Sequence, residues 1–200
     1  MKAFEHWPQK SGRAYDFSKF ASPSKINEGL NLKHTISVLL REFIVMSKII
    51  YGERIGKTAK LVVACDGVIF DNTRSKMLLT QRTDNRQWCL PGGRMEPGES
   101  ASECCAREVL EETALVVTVG RLVGVYSTPN HITEYTDGNR KQGVDIIFET
   151  QITGGDVRIT EETIDVGYFS IEEMGSLDIV ELMKERISDA FLSRNTAFIR

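Results

Sequence analysis

The sequence predicts an α/β fold: a β-sheet covered by helices on its faces, with an N-terminal helical extension. Three observations predict it. After Gly56 the chain breaks into short β-rich runs, one clear helix interrupts them at about 101–113, and a second at about 177–192 closes the chain. Strands mixed with helices in this order call for helices packed on a sheet, not for two stacked sheets or a helix bundle. Two hundred residues, 41% hydrophobic and 26% charged, suffice for one core plus an appendage and exclude disorder and collagen.

Residues 1 to about 33 are polar, punctuated by Pro8, Gly12, Pro23 and Gly29, and read as an arm with little regular structure. From His34 the spacing puts Ile36, Leu39, Leu40, Phe43, Ile44 and Ile50 on one apolar helix face, with Gly52 and Gly56 as a stop. This sets an arm and amphipathic helix over 1–56 and the main domain over 57–200. The apolar face needs a partner, either the main domain or a second copy in a homodimer. Strands follow at Lys60–Phe70, Lys76–Arg82, around Trp88–Leu90, Val116–Ser127 and Gly143–Ile152. The connection Val125–Gly143, rich in Asn, Thr, Asp and Gly, reads as a long loop where specificity resides.

A formal charge of −3 offers no positive field for a long nucleic acid to follow, so an anionic ligand must be met locally. The window Ile36–Tyr51 is interrupted by Arg41, Glu42 and Lys48 and falls short of the roughly 20 apolar residues that cross a bilayer. The N-terminus lacks the apolar core of a signal peptide, and the expectation is a cytoplasmic protein without membrane association. Cys65, Cys89, Cys104 and Cys105 form no CxxC pair and read as reduced, buried thiols.

The chemistry lies in Leu90–Leu115, LPGGRMEPGESASECCAREVLEETAL, where a glycine-rich loop runs into an acidic helix. Ser100 and Glu103 form a capping box that marks the helix start. At roughly 100° per residue, Ala106, Val109 and Leu110 share one side and Glu108, Glu111 and Glu112 gather on the other. Carboxylates at i, i+3 and i+4 repel one another. A solvated face with Arg107 nearby accommodates them; so does a divalent cation, because Mg²⁺ takes oxygen ligands. Gly92, Gly93 and Gly98 let the preceding backbone approach an ion or phosphate closely.

This segment closely resembles the signature of the Nudix hydrolase family, G-x5-E-x7-R-E-U-x-E-E-x-G-U, with U a bulky aliphatic residue. Gly93, Glu99, Arg107, Glu108, Val109, Glu111, Glu112 and Leu115 fill its places in register, and Ala114 stands where the last glycine belongs. Ala114 puts the turn after the helix in question, because that position favours positive φ. The broader resemblance covers roughly Lys60 to Met174.

The resemblance implies a mixed sheet sandwiched between α-helices and Mg²⁺-dependent hydrolysis, with Mn²⁺ as a substitute, of a nucleoside diphosphate linked to another group. It makes Gly93, Glu108, Glu111 and Glu112 the metal-side residues. It makes Arg107 a residue that orients Glu99 or Glu111, and Glu108 a candidate base. Glu161, Glu162 and Asp165 in the later acidic loop are the other base candidates, and the expected catalytic residues are Glu108, Arg107, Glu111 and Glu162. Arg82, Arg86, Tyr126 and Arg140 are the substrate-side candidates. The partner is then a small nucleotide derivative, with ADP-ribose or a nucleotide sugar first to test. Alternatives are a nucleoside triphosphate pyrophosphohydrolase and a non-catalytic nucleotide sensor.

Overall fold

The computed structural model describes residues 47–200. Residues 34–46 of the expected amphipathic helix, and the dimer contact that rests on it, lie outside the described residues. Its last part is a correction: Ser47–Tyr51 is a strand, β1, paired antiparallel with His131–Tyr135, β7. Ile49, Ile50 and Tyr51 favour extended backbone, and pairing places Ile50 opposite the buried Ile132. The helical periodicity continued across a segment whose tertiary partner is a strand. β7 also corrects the expected long connection, which is a hairpin turned at Gly138, φ 82°.

Among the described residues the remaining strands are β2 (Lys60–Val68), β3 (Met77–Arg82), β4 (Trp88–Cys89), β5 (Gly92–Arg94), β6 (Leu115–Ser127), β8 (Arg140–Gly155), β9 (Thr163–Phe169) and β10 (Phe198–Ile199). Seven of the ten form a mixed sheet: β2 runs parallel to β8 and antiparallel to β5, and β8 is antiparallel to β6 and β7. β4, β3 and β9 form a second, antiparallel sheet. The helices are α1 (Ala101–Thr113), the single turn α2 (Ile171–Met174) and α3 (Glu181–Phe191). α3 starts later than expected because Asp178–Val180 is tied to β4: Trp88 N–H donates to the Asp178 carbonyl at 2.8 Å, and Val180 N–H to that of Trp88 at 2.9 Å.

α1 begins where the capping box places it: Glu103 N–H donates to Ser100 Oγ, and Ser100 N–H to Glu103 Oε2 at 2.8 Å. Its inward face differs from the expected one. Cys104, Cys105 and Val109 pack with Cys65, Ile69, Leu78 and Leu115 to form the core, while Leu110 is 46% exposed. The polar residues misled the periodicity. Glu112 lies three residues beyond Val109 and seven beyond Cys105, only about 20° round the helix from the latter at 100° per residue, so the inward stripe ends in a carboxylate.

α1 ends at Ala114 with φ 60° and ψ 17°, the left-handed conformation that glycine occupies without a Cβ clash. The Ala114→Gly variant is therefore expected to be more stable by about 0.5–1 kcal/mol, the left-handed strain relieved less the added freedom of the unfolded chain. Denaturant midpoints check this; an unchanged or lower midpoint counts against the strain.

Candidate active site

β5 is an edge strand threaded between two carboxylates. A Cβ on Gly93 would lie 2.5 Å from Glu108 Oε2, and one on Gly92 would lie 2.3 Å from Asp66 Oδ1. Only glycine permits both approaches, which is the structural reason for the pair. Gly92 N–H donates to Glu112 Oε2 at 3.3 Å, and Thr80 Oγ1 on β3 donates to the same oxygen at 3.0 Å. The Gly93 carbonyl is approached by the Cys104 thiol at 3.8 Å.

Arg107 organises the outer side. Its Nε and Nη2 donate to the two oxygens of Glu99 at 2.6 and 3.0 Å, and its Nη1 donates to Glu108 Oε1 at 2.8 Å and Glu111 Oε2 at 2.9 Å. The Arg107 guanidinium holds the Glu99 carboxyl down at about 2. Burial raises Glu108, 8% exposed, against the pull of Arg107, with the charges of Glu111 and Glu162 adding to the rise. Burial also pushes Glu112 up to about 7, despite the Thr80 and Gly92 hydrogen bonds. Asp66, 3% exposed, is raised well above the usual range by burial first and then by Asp145. Its Oδ2 has no hydrogen-bond partner.

Gly93, Arg107, Glu108, Glu111 and Glu112 thus come together around the end of β5. Glu162 is exposed in the segment before β9, close enough for its charge to be felt at Glu108; Glu161 and Asp165 are exposed in the same region. Arg82 is held by Asp84 at 2.6 and 2.8 Å, within electrostatic range of Glu112. Arg86 is exposed at φ 60°. Arg140 pairs with Glu134 at 2.7 Å and lines a cleft of about 690 Å³ with Lys60, Arg94, Glu99 and Lys141. Tyr126 is buried; its hydroxyl donates to Asp189 Oδ2 at 2.9 Å, and it lines a separate cavity of about 260 Å³ with Tyr51, His131 and Arg186. Two residues escaped the sequence reading. A charge inside the apolar run KLVVACDGVIF was the available signal for Asp66; nothing in the local sequence marked Thr80.

Among the described residues no three His, Cys, Asp or Glu side chains stand as a ready metal cage. The donor set nevertheless fits Mg²⁺, which takes oxygen ligands and keeps waters and substrate phosphates beside one or two carboxylates. Glu108, Glu112 and the Gly93 carbonyl are such donors. Burial disfavours the ionised forms of Glu108, Glu112 and Asp66, whose Oδ2 is orphaned, and a cation would offset that cost.

A mixed sheet whose edge strand abuts a carboxylate-bearing helix defines an α/β protein with a candidate divalent-metal centre. The chain belongs to the Nudix family: the NUDIX domain model matches residues 60–191. An ADP-ribose pyrophosphatase of Methanocaldococcus jannaschii is 32% identical over 118 residues, 58% of this chain and 65% of that protein. The match thus spans less than two thirds of that relative. A nucleoside triphosphatase NudI of an Enterobacter species is 32% identical over 99 residues, 48% of this chain and 70% of that protein. Among solved structures, an ADP-ribose pyrophosphatase of Streptococcus suis has a TM-score of 0.53 at 23% identity, covering 70% of this chain and 97% of that one. A MutT protein of Methanosarcina mazei has a TM-score of 0.56 at 26% identity, covering 69% and 97%. Among the described residues no helix is long and apolar enough to cross a membrane.

Proposed function

We propose that this chain is a cytoplasmic, Mg²⁺-dependent hydrolase that cleaves the diphosphate bond of a nucleoside diphosphate derivative, with ADP-ribose or a nucleotide sugar as substrate. The observation that carries the reading is the convergence of Glu108 and Glu112 on the Gly92–Gly93 backbone. The relative named an ADP-ribose pyrophosphatase supports the substrate class. The sheet supports the layered α/β/α arrangement: on β8, Ile146 packs in the α1 core, whereas the adjacent Asp145 pairs with Arg186 of α3, and neighbouring strand residues face opposite sides.

Glu108, Glu112 and the Gly93 carbonyl would hold the cation, with Glu111 at its outer edge. A cation held there would supply charge neutralisation for the diphosphate and a more acidic attacking water. Thr80 and Gly92 fix one Glu112 oxygen, leaving the other free to ligate. Arg107 sets the Glu108 carboxylate through Nη1 and keeps Glu99 ionised beside it. Glu108 or Glu162 receives the proton of the attacking water. Arg82, Arg86 and Arg140 bind the substrate, and the 690 Å³ cleft beside the glycine loop accommodates part of it; Tyr126, buried on the separate cavity, stands apart from it. Substitution at phosphorus then relies on positioning and charge neutralisation.

The relative named a nucleoside triphosphatase favours a second reading, hydrolysis of nucleoside triphosphates. Product analysis separates the two: nucleoside monophosphate plus a phosphorylated remainder in the first case, monophosphate plus inorganic diphosphate in the second. EDTA is expected to abolish turnover, and Mg²⁺ or Mn²⁺ to restore it. Full activity in the chelated protein would remove the metal from the reaction.

A further inference from the structure

We propose that Thr80 is a positioning residue for the metal centre, acting through Glu112; the inference rests on the reading of Glu112 as a cation ligand. Thr80 lies on β3, outside the glycine loop and its helix, and is 1% exposed. Leu78, two residues earlier and therefore on the same strand face, packs in the core with Cys105 and Val109 of α1. Thr80 continues that face towards the next inward position of the helix, Glu112. A strand step of two residues advances about 6.6 Å and a helix step of three about 4.5 Å, and the remaining difference of about 2 Å is bridged by the side chains, which meet at 3.0 Å. At the site of an apolar core contact, the strand presents a hydroxyl to a carboxylate.

The hydrogen bonds give that hydroxyl a defined orientation. A threonine hydroxyl has one proton, and here it goes to Glu112 Oε2 at 3.0 Å. Cys89 Sγ lies 3.7 Å from Thr80 Oγ1 and donates its own proton to the Thr80 backbone carbonyl at 3.8 Å. Gly92 N–H approaches the same Glu112 oxygen at 3.3 Å. Strand, glycine turn and helix are thereby tied at one carboxylate oxygen, and the hydrogen bonds select the rotamer that aims the second oxygen outward. Such partners of metal ligands set ligand orientation, and their loss commonly costs about 10–100-fold in metal affinity or activity.

Thr80→Val removes the hydroxyl and keeps the shape. Mn²⁺ binding to the full chain, followed by electron paramagnetic resonance without nucleotide, is expected to weaken about tenfold. With ADP-ribose, kcat is expected to fall in parallel while KM stays within about twofold, because the hydroxyl touches no substrate. Thr80→Ser, which restores the donor, should return both values to within about twofold of wild type. Wild-type Mn²⁺ affinity in Thr80→Val overturns the proposal. So does Thr80→Ser binding Mn²⁺ as weakly as Thr80→Val, because keeping the hydroxyl would then fail to keep the affinity. Glu112→Gln in the same titration separates the two levels: if it leaves Mn²⁺ affinity unchanged, Glu112 is no ligand and the underlying reading fails. If it weakens binding and Thr80→Val does not, only the role of Thr80 fails.

Discussion

Glu112→Gln is expected to lower metal-dependent turnover by about 10²–10³-fold while leaving the metal-free protein at least as stable as wild type. Both halves follow from the inward placement of the side chain. Its carboxylate oxygen receives the Thr80 hydroxyl and the Gly92 N–H, and a glutamine carbonyl can accept the same two bonds. What glutamine lacks is the negative charge a divalent ion requires. That charge is costly without the ion, because burial pushes Glu112 from 4.5 up to about 7. A carboxyl raised in the folded state binds its proton more tightly there than in the unfolded chain, so native stability declines as pH rises from about 4.5 to about 7. The variant escapes this contribution. Its advantage over wild type in EDTA should therefore grow across that interval and level off above it. Thermal midpoints at pH 5 and pH 8 test the stability half, and initial rates in saturating Mg²⁺ test the other. A rate near wild type would take Glu112 out of the metal site.

Arg107→Ala is the second large effect, expected to reduce turnover roughly 10–100-fold, as loss of a residue that orients ligands does. One guanidinium bonds Glu99, Glu108 and Glu111; without it three carboxylates repel one another and Glu108 loses the donor that orients it. Arg107→Lys should recover little, since an ammonium lacks the planar fork that reaches Glu99 on one edge and Glu108 on another. Acid sensitivity provides an independent readout. Glu99 is held down at about 2, so its contribution to stability is complete above the ordinary glutamate value of 4.5 and is lost as pH falls towards 2. The Arg107→Ala protein should show a shallower loss of stability over that range. Equal acid slopes in the two proteins would mean that the ion pair does not hold Glu99 ionised.

The comparison of sequence with structure divides by the range of the forces involved. α1 runs from Ala101 to Thr113 as expected, because its capping box is local and strong. The left-handed geometry at Ala114 also follows from the register of the signature, although the residue there is not glycine. The strands from Lys60, Lys76 and Val116 were readable because β-branched and aliphatic runs were bounded by glycine and polar turns. At Ser47–Tyr51 local periodicity failed: helical spacing and strand pairing compete for the same isoleucines, and β7 decides between them.

The carboxylates illustrate the same division at the site. Sequence alone identified the acidic residues, their spacing along one helix, and the glycines that precede them. It placed Glu112 on a solvent-facing side. Only tertiary structure turned that residue inward to Thr80 and Gly92, brought the edge strand against Glu108, and set the buried Asp66 on the far side of Gly92. Residue types and spacings along one element are properties of the chain itself. Which face of a helix becomes buried, and what a buried charge meets there, depends on strands distant in sequence, whose contacts are settled by packing and by desolvation of the whole core.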